Sequence, residues 1–439
     1  MTQQDQAKQT PEATRGPALT AALVGAGHRG ILYASYALKH PEELKIVAVA
    51  DPNDLRRREA AEVHGLRPEQ CFRTAEELAA RPPLADAAIN ATIDKHHVPT
   101  SLPLLAAGYH LLLEKPIATS EADLLILREA ARRNGRTVMV CHVLRYAPFY
   151  VEIRNRIAAG QLGDIISVET GEYVGYHHMA VGFVRGKWSR RDQCESSMLM
   201  AKCCHDLDLI AWMKSGVAPR RVSSFGSLMQ FRPENAPPGS GERCLVDCQI
   251  EETCPHSARR IYVDRKRWKF YAWEGLEHLG KDLSKEQMLR SLREDNPYGR
   301  CVWRCDNDVV DHQNVIVEFA DGATASHNMI AGAGRGSRTI HLVGTKGEIK
   351  GEMESGTFIL RRPDPSQGRL YAEESVDVNV AGDMHGGGDM RLVSDFLRML
   401  RGEPAGISCT SLEDSIHGSR IGFAADRSMA QGGQPVRID

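Results

Sequence analysis

The residues with the clearest capacity for chemistry lie near the amino end. Gly25-Ala26-Gly27-His28-Arg29-Gly30 fits the G-x-G-x-x-G spacing. In that pattern the first glycine makes a tight turn, the second lets the backbone approach a pyrophosphate, and the third lets a helix pack closely on a strand. About twenty residues on, Asp51 ends a second apolar run, where a carboxylate can accept from ribose hydroxyls. The same charge repels a 2′-phosphate, which favours NAD over NADP, although Arg56, Arg57 and Arg58 follow closely. Farther along, Tyr173, Tyr176, His177 and His178 precede Arg185, Lys187, Trp188, Arg190 and Arg191. That set suits a sugar site, and equally a solvated loop. Asp311-His312-Gln313 and the His385 of His385-Gly-Gly-Gly-Asp389 are further polar candidates. Among eleven cysteines, Cys244, Cys248 and Cys254, with Cys301 and Cys305 downstream, could give four thiolates to a structural Zn²⁺. Cys244, Cys248, Cys254 and Cys305 form the candidate zinc set. An iron–sulfur cluster, or reduced and partly buried thiols, are the alternatives. Cys203 and Cys204 beside His205 read as core.

These groups need elements to hold them. From Ala18 short apolar runs alternate with helical stretches: ALTAALVG, KIVAVAD, DAAINAT, HLLLEKP and RTVMVCHV read as strands, separated by helices. Such alternation means crossover units and a parallel sheet, here a Rossmann-type domain over residues 18–145. After about Val143 the rhythm changes. DIISVETGEYVG, RRVSSFGSLM, NVIVEFAD, ATASHNMI, RTIHLVGT and TFILRR read as strands without intervening helices. They predict an α+β second domain over 146–439 with an open, mostly antiparallel sheet. ADGA and GTKGE are hairpin turns. A Pro/Gly-rich, cysteine-containing insertion lies near 233–305, and a helix is expected around Lys281 to Arg293. The fold class is α/β.

A chain of 439 residues with 42% hydrophobic and 26% charged residues has ample core for two domains. The net charge of −2 gives no reason to expect nucleic acid or an anionic membrane as a partner. No apolar run reaches the roughly 20 residues that span a bilayer. The polar stretch over 1–17 reads as a disordered lead-in without a signal-peptide core. The odd, scattered cysteines do not resemble a secreted disulfide framework. A cytoplasmic location is expected.

The glycine loop, the AVADP strand end at Ala48 to Pro52, ATIDKHH at Ala91 to His97, Glu114-Lys115-Pro116, and His205-Asp206-Leu207-Asp208 leading into Ile210-Ala211-Trp212 occur in this order. Together they resemble the Gfo/Idh/MocA family, named for glucose–fructose oxidoreductase and inositol dehydrogenase, over nearly the whole chain. The resemblance implies an NAD-dependent oxidoreductase acting on a sugar, cyclitol or related polyol. It implies a homodimer or homotetramer joined through the open sheet. It places Lys115 beside the nicotinamide and the reacting hydroxyl, with His205 as acid/base. Thr92, His97, Glu114 and Trp188 would join Gly25, Gly27, His28, Arg29, Gly30 and Asp51 around the cofactor. Arg145, Tyr146, Tyr176, His177, His178, Lys202, Asp208, His312 and His385 are the substrate-facing candidates. Many family dehydrogenases carry an aspartate four residues before the histidine, and here that residue is Ala201. Either Asp208 or Asp311 supplies the carboxylate, or the chemistry differs. The HGGGD stretch also resembles a motif of NAD-dependent, redox-neutral glycosidases in the same superfamily, which gives a second functional expectation. A catalytically inert NAD-binding sensor or assembly protein is a third.

Overall fold

Apolar runs of two to seven residues alternating with helices close into a six-stranded parallel sheet in the computed structural model. The structure describes residues 16–280, 282–366, 368–378 and 385–438, so the expected lead-in lies outside the described residues through residue 15. The strands are β1 (Leu19–Val24), β2 (Leu44–Ala50), β3 (Cys71–Phe72), β4 (Ala87–Asn90), β5 (His110–Leu113) and β6 (Val138–Val140). Their order is β3-β2-β1-β4-β5-β6, and all pairs are parallel. This is the doubly wound order, with its ligand crevice at the carboxyl ends of the strands. Helices cover both faces, so β4 is buried at every residue, which explains a continuous apolar run instead of an alternating one.

Local chemistry sets the helix ends. The helix α1 (His28–Ala34) opens directly after Gly27. The Asn53 side chain accepts from Leu55 and Arg56 N–H to start α2 (Asp54–His64), and left-handed Gly65 stops it. Ser120 and Gly135 bound α3 (Glu121–Asn134) in the same way.

The second sheet has nine strands: β7 (Ile165–Gly175), β8 (Pro219–Ser227), β9 (His312–Phe319), β10 (Thr324–Ala333), β11 (Ser337–Gly344), β12 (Glu348–Glu352), β13 (Thr357–Pro363), β14 (Tyr371–Asp377) and β15 (Val436–Arg437). Their order is β14-β13-β12-β11-β7-β10-β9-β8-β15. Only the β7–β10 pair is parallel. The ADGA and GTKGE turns join β9 to β10 and β11 to β12. One face packs on the buried helix α4 (Met198–Met213), where Leu207 and Ile210 meet Val168, Val315 and Val317. The other face carries exposed Ile166, Phe225 and Ile316.

Two helices after residue 385 return to the first sheet. The helix α5 (Gly388–Leu400) buries Leu392, Val393 and Phe396 against Leu23, Tyr33 and Val143. Leu412, Ile416 and Phe423 of α6 (Leu412–Ala430) join Leu124 and Leu127 of α3 in another cluster. The expected helix near 281–293 is Lys285–Arg293, and it buries Ser291 and Leu292. Among the described residues no helix is long and apolar enough to cross a membrane.

Candidate active site

Each glycine of the loop has a distinct geometric reason. Gly25 has φ +86°, and a Cβ there would stand 2.7 Å from the Ala91 carbonyl oxygen. At Gly30 a Cβ would collide with the Gly25 carbonyl oxygen, so α1 could not lie this close to β1. Gly27 has open space in front of it, with only an Arg56 nitrogen at 3.9 Å, and it faces a cleft. That cleft is also lined by His28, Arg29, Asp51, Thr92, Glu114, Lys115 and Trp188. Asp51, Thr92 and Lys115 follow β2, β4 and β5, the strand ends where a doubly wound sheet binds ligands. One Asp51 oxygen accepts from Ala26 N–H at 2.7 Å and the other from Asn53 N–H at 2.8 Å, which leaves each with a lone pair for a ribose hydroxyl. These residues fit a dinucleotide.

Charged side chains brace the cleft from behind. Arg29 donates to Glu114 at 2.7 Å, to Asp389 at 2.6 Å and to the Tyr33 hydroxyl. Burial pushes the Glu114 carboxyl up, but Arg29 and Lys115 outweigh it and hold it below the usual carboxylate range. Arg29 is therefore a strut tying the glycine loop to α5 as well as a wall of the cleft. His97 is fully buried and does not line it, contrary to expectation. Its ring nitrogens lie 2.6 Å from the Pro116 carbonyl oxygen and 3.0 Å from that of Thr92, so it joins two cleft-lining segments.

Lys115 reaches across to α4 and donates to the Ala201 carbonyl oxygen at 2.8 Å. The main chain thus receives the lysine at the residue where relatives with an aspartate would place a carboxylate. Burial pulls the Lys115 pKa down, but Cys204, Glu114 and Asp94 outweigh it and leave the ammonium favoured. His205, on the same helix, is buried, and its Nδ1 has no hydrogen-bond partner within the protein. Burial, then Lys115, His142 and His385, push its pKa well below the usual histidine value, so the ring is neutral near pH 7. His142 packs edge-on against it at 5.7 Å and His385 lies at 6.2 Å. Gly386 and Gly387 both take positive φ, and a Cβ on Gly388 would meet the Val143 carbonyl oxygen at 2.5 Å. The glycine run therefore makes a tight turn that seats His385, whose Nδ1 is 2.8 Å from Asp389. Burial pushes the Asp389 carboxyl up, but His385 and Arg29 draw it down to about 2.

The remaining substrate-facing candidates divide. His178 stacks on Trp268 at 4.5 Å and feels the charges of Lys202 and Lys115, which places it near the pair. Lys202 is held by Glu172 at 2.9 Å, which also binds Arg338. Tyr176 accepts from Arg265 and His177 from the Trp268 indole, so both face the insertion. Four expectations are overturned. Arg145 and Asp208 are buried and bound to each other twice, at 2.7 and 2.6 Å. Tyr146 donates to Asp395 at 2.7 Å. His312 lies beside Asp311 and Ser227 at the start of β9, outside the cleft. Neither Asp208 nor Asp311 replaces the missing carboxylate, because Asp311 accepts from the Met229, Gln230 and Phe231 amides. Removing one member of a buried ion pair strands the other, so Asp208→Ala is expected to cost about 3–5 kcal/mol in a urea titration. A loss under about 1 kcal/mol would show the Arg145 charge is screened elsewhere.

The zinc set is not assembled. Among the described residues, ligand atoms gather within 4.8 Å only as Cys203/Asp206/His327 and His40/Glu42/Glu43. Cys305 instead donates to the Cys301 carbonyl oxygen at 3.2 Å.

Several site residues escaped sequence reasoning. His142 follows β6, and its place after an apolar strand was an available signal. Asp94 accepts from the Trp188 indole at 3.1 Å and acts on Lys115. Phe270 stacks on His28 at 4.2 Å, Tyr271 and Glu274 line the cleft, and Arg56 is clamped by Glu274 and Glu277. The insertion therefore roofs the nucleotide cleft, which no local pattern announces.

A doubly wound sheet with a glycine cradle at its crevice, beside a mixed second sheet, defines an NAD-binding oxidoreductase. The chain belongs to the Gfo/Idh/MocA oxidoreductase family. Residues 19–142 match its NAD-binding Rossmann fold, and residues 154–438 match its C-terminal alpha/beta domain. The oxidoreductase YteT of Bacillus subtilis is 26% identical over 71% of this chain and 72% of its own. An inositol 2-dehydrogenase of Corynebacterium glutamicum is 25% identical over 53% of this chain, a match spanning 64% of that enzyme. An NAD-binding oxidoreductase from Klebsiella pneumoniae shares the fold with a TM-score of 0.69 at 17% identity, covering 96% of this chain and 99% of that one. Levoglucosan dehydrogenase, solved with NADH and levoglucosan, does so with a TM-score of 0.67 at 17% identity and the same coverage.

Proposed function

We propose that this protein is an NAD-dependent dehydrogenase of a sugar, cyclitol or related polyol, with Lys115 and His205 as its reacting pair. The observation that carries this reading is the approach of the Lys115 ammonium, which lines the nucleotide cleft, to the neutral His205 imidazole, whose buried Nδ1 has no partner within the protein. Bound NAD supplies the acceptor for the hydride that leaves the carbinol carbon. The hydroxyl proton passes to the neutral ring of His205, and the Lys115 ammonium stabilises the alkoxide as it forms. His178, which feels the charges of Lys202 and Lys115, is the proposed substrate contact from the second domain. The names of the inositol and levoglucosan dehydrogenases support a carbohydrate substrate.

NAD is the proposed cofactor, because Asp51 would repel a 2′-phosphate and Arg56, which could offset it, is neutralised by Glu274 and Glu277. Asp51→Ala is expected to weaken NAD binding about tenfold and relax discrimination against NADP, by about 1–2 kcal/mol for a lost charged hydrogen bond. Unchanged calorimetric affinity for both cofactors would remove Asp51 from the site. All eleven cysteines are free, which supports a reducing, cytoplasmic location. The exposed apolar residues of the second sheet support a homodimer or homotetramer.

The placement of His385 favours one second reading. A base beside His205, held by Asp389, is what a redox-neutral glycosidase needs to remove the proton next to an oxidised carbon. Following NADH absorbance and aglycone release together, with free sugars and aryl glycosides, decides between the two. NADH from free sugars means a dehydrogenase. NAD-dependent aglycone release without NADH means a glycosidase. Cofactor binding with neither would leave only the inert sensor.

A further inference from the structure

The helix α4 and the sheet beneath it enclose polar groups that the nucleotide cleft does not use. Cys203 and Asp206 lie three residues apart on α4, so they share one face of the helix. His327 lies in β10, in register with Thr170 of β7. All three are buried, with no more than 2% of their surface exposed. The Cys203 sulfur, a carboxylate oxygen of Asp206 and a ring nitrogen of His327 lie within 4.8 Å of one another.

Two of these residues carry atoms that nothing satisfies. Asp206 Oδ2 and His327 Nε2 are buried and have no hydrogen-bond partner among the described residues. Thr170 Oγ1 fixes the ring from its other side, 2.9 Å from Nδ1. That hydroxyl donates to the Ser326 carbonyl oxygen at 3.5 Å, so it accepts from Nδ1–H and leaves a lone pair on Nε2. A carboxylate oxygen is likewise an acceptor only. Unsatisfied buried acceptors are costly, and one cation satisfies both. Asp206 Oδ1 receives Arg338 at 3.1 Å, while Glu172 takes Arg338 at 2.6 Å and Lys202 at 2.9 Å. The flanking cations are thus bound to other oxygens.

The ligand types and their spacing select the ion. Thiolate, imidazole and carboxylate are the ligands of zinc, at about 2.0–2.3 Å. Tetrahedral geometry then sets the ligand atoms about 3.3–3.8 Å apart. Small side-chain rotations reach that separation from atoms already within 4.8 Å. A hydrogen bond that fixes the second ring nitrogen is the usual support of a metal-bound histidine.

We propose that Cys203, Asp206 and His327 hold one zinc ion between α4 and β10, with water in the fourth position. On binding, the Cys203 thiol gives its proton to solvent, and the thiolate and the carboxylate match the two charges of the ion. Cys203 and Asp206 bracket His205, so the ion ties the turn of α4 that carries this residue to the sheet. Hydride transfer does not pass through it.

The test is zinc analysis of the full chain as purified, then titration of chelator-treated protein with Zn²⁺ and with Co²⁺. About one zinc per chain is expected, bound with a rise in Tm. Cobalt should show the d–d bands of a tetrahedral site and a charge-transfer band from a single thiolate. His327→Gln should lose the zinc and both cobalt signatures, while Cys248→Ser in the insertion should keep them. Folded protein that takes up neither ion overturns the proposal. So does zinc that survives His327→Gln, or a cobalt spectrum of several thiolates, which would place the ion among the insertion's cysteines. The cobalt spectrum of the unsubstituted protein is decisive even if His327→Gln fails to fold.

Discussion

Lys115→Met is expected to lower kcat/KM about 10²–10³-fold, the cost of removing one preorganised charge from a developing oxyanion. NAD affinity should stay within a few-fold, because Gly25, Gly27 and Asp51 lie along the cleft from it. Methionine keeps the aliphatic length and removes the charge. The expectation follows from the surroundings of the ammonium, which is half-buried, fixed on the Ala201 carbonyl oxygen and kept protonated by Cys204, Glu114 and Asp94 against the pull of burial. The substitution also removes the charged hydrogen bond to the Ala201 carbonyl, which keeps its place in the α4 helix, at about 1–3 kcal/mol of stability. A thermal melt should therefore accompany single-turnover NADH measurements. Activity within tenfold of the unsubstituted enzyme, with intact folding, would remove Lys115 from the chemistry.

His205→Ala should lower the same constant about 10²–10⁴-fold, as loss of a positioned base does. The pH profile separates this role from a packing role. The base must be neutral to accept the carbinol proton. Burial and the nearby Lys115 charge depress its pKa well below the usual value, so protonation sets in only at lower pH than for a free histidine. As pH falls through about 6.5, kcat/KM should therefore stay level, and the acid limb should appear below that. His142 is likewise drawn down to about 4, chiefly by burial, so it adds no limb near 6.5. An acid limb centred at 6.5 that vanishes in the alanine variant would show His205 titrating as an ordinary exposed ring.

The nucleotide half was the more legible part of this chain because its signals are local. A glycine needed at Gly25 or Gly30 is needed by the backbone within one turn, and Asp51 follows its strand at a spacing set by a single crossover unit. The longer strands of the first sheet announced themselves by continuous apolar runs, since a strand buried on both faces has no polar side, and β7 to β11 and β13 announced themselves in the second sheet. Two-residue β3 and β15 and the polar β12 and β14 carried too little apolar sequence to be seen. The substrate half failed in a consistent way. Arg145, Tyr146 and Asp208 have the side chains of a sugar site, yet each is satisfied internally. Residue type shows that a group needs a partner, and only packing shows whether the protein has already supplied it.

The amino-acid order by itself settled the doubly wound sheet, the glycine cradle and the family, because these rest on contacts between residues near in sequence or on one continuous motif. The tertiary structure alone brought His142, His205 and His385 together from three separate elements. It alone turned the insertion back to lay Phe270 on His28 and Glu274 against Arg56. Those contacts join residues separated by tens to hundreds of positions, and their geometry comes from how two sheets and the helices returning from the carboxyl end share one core.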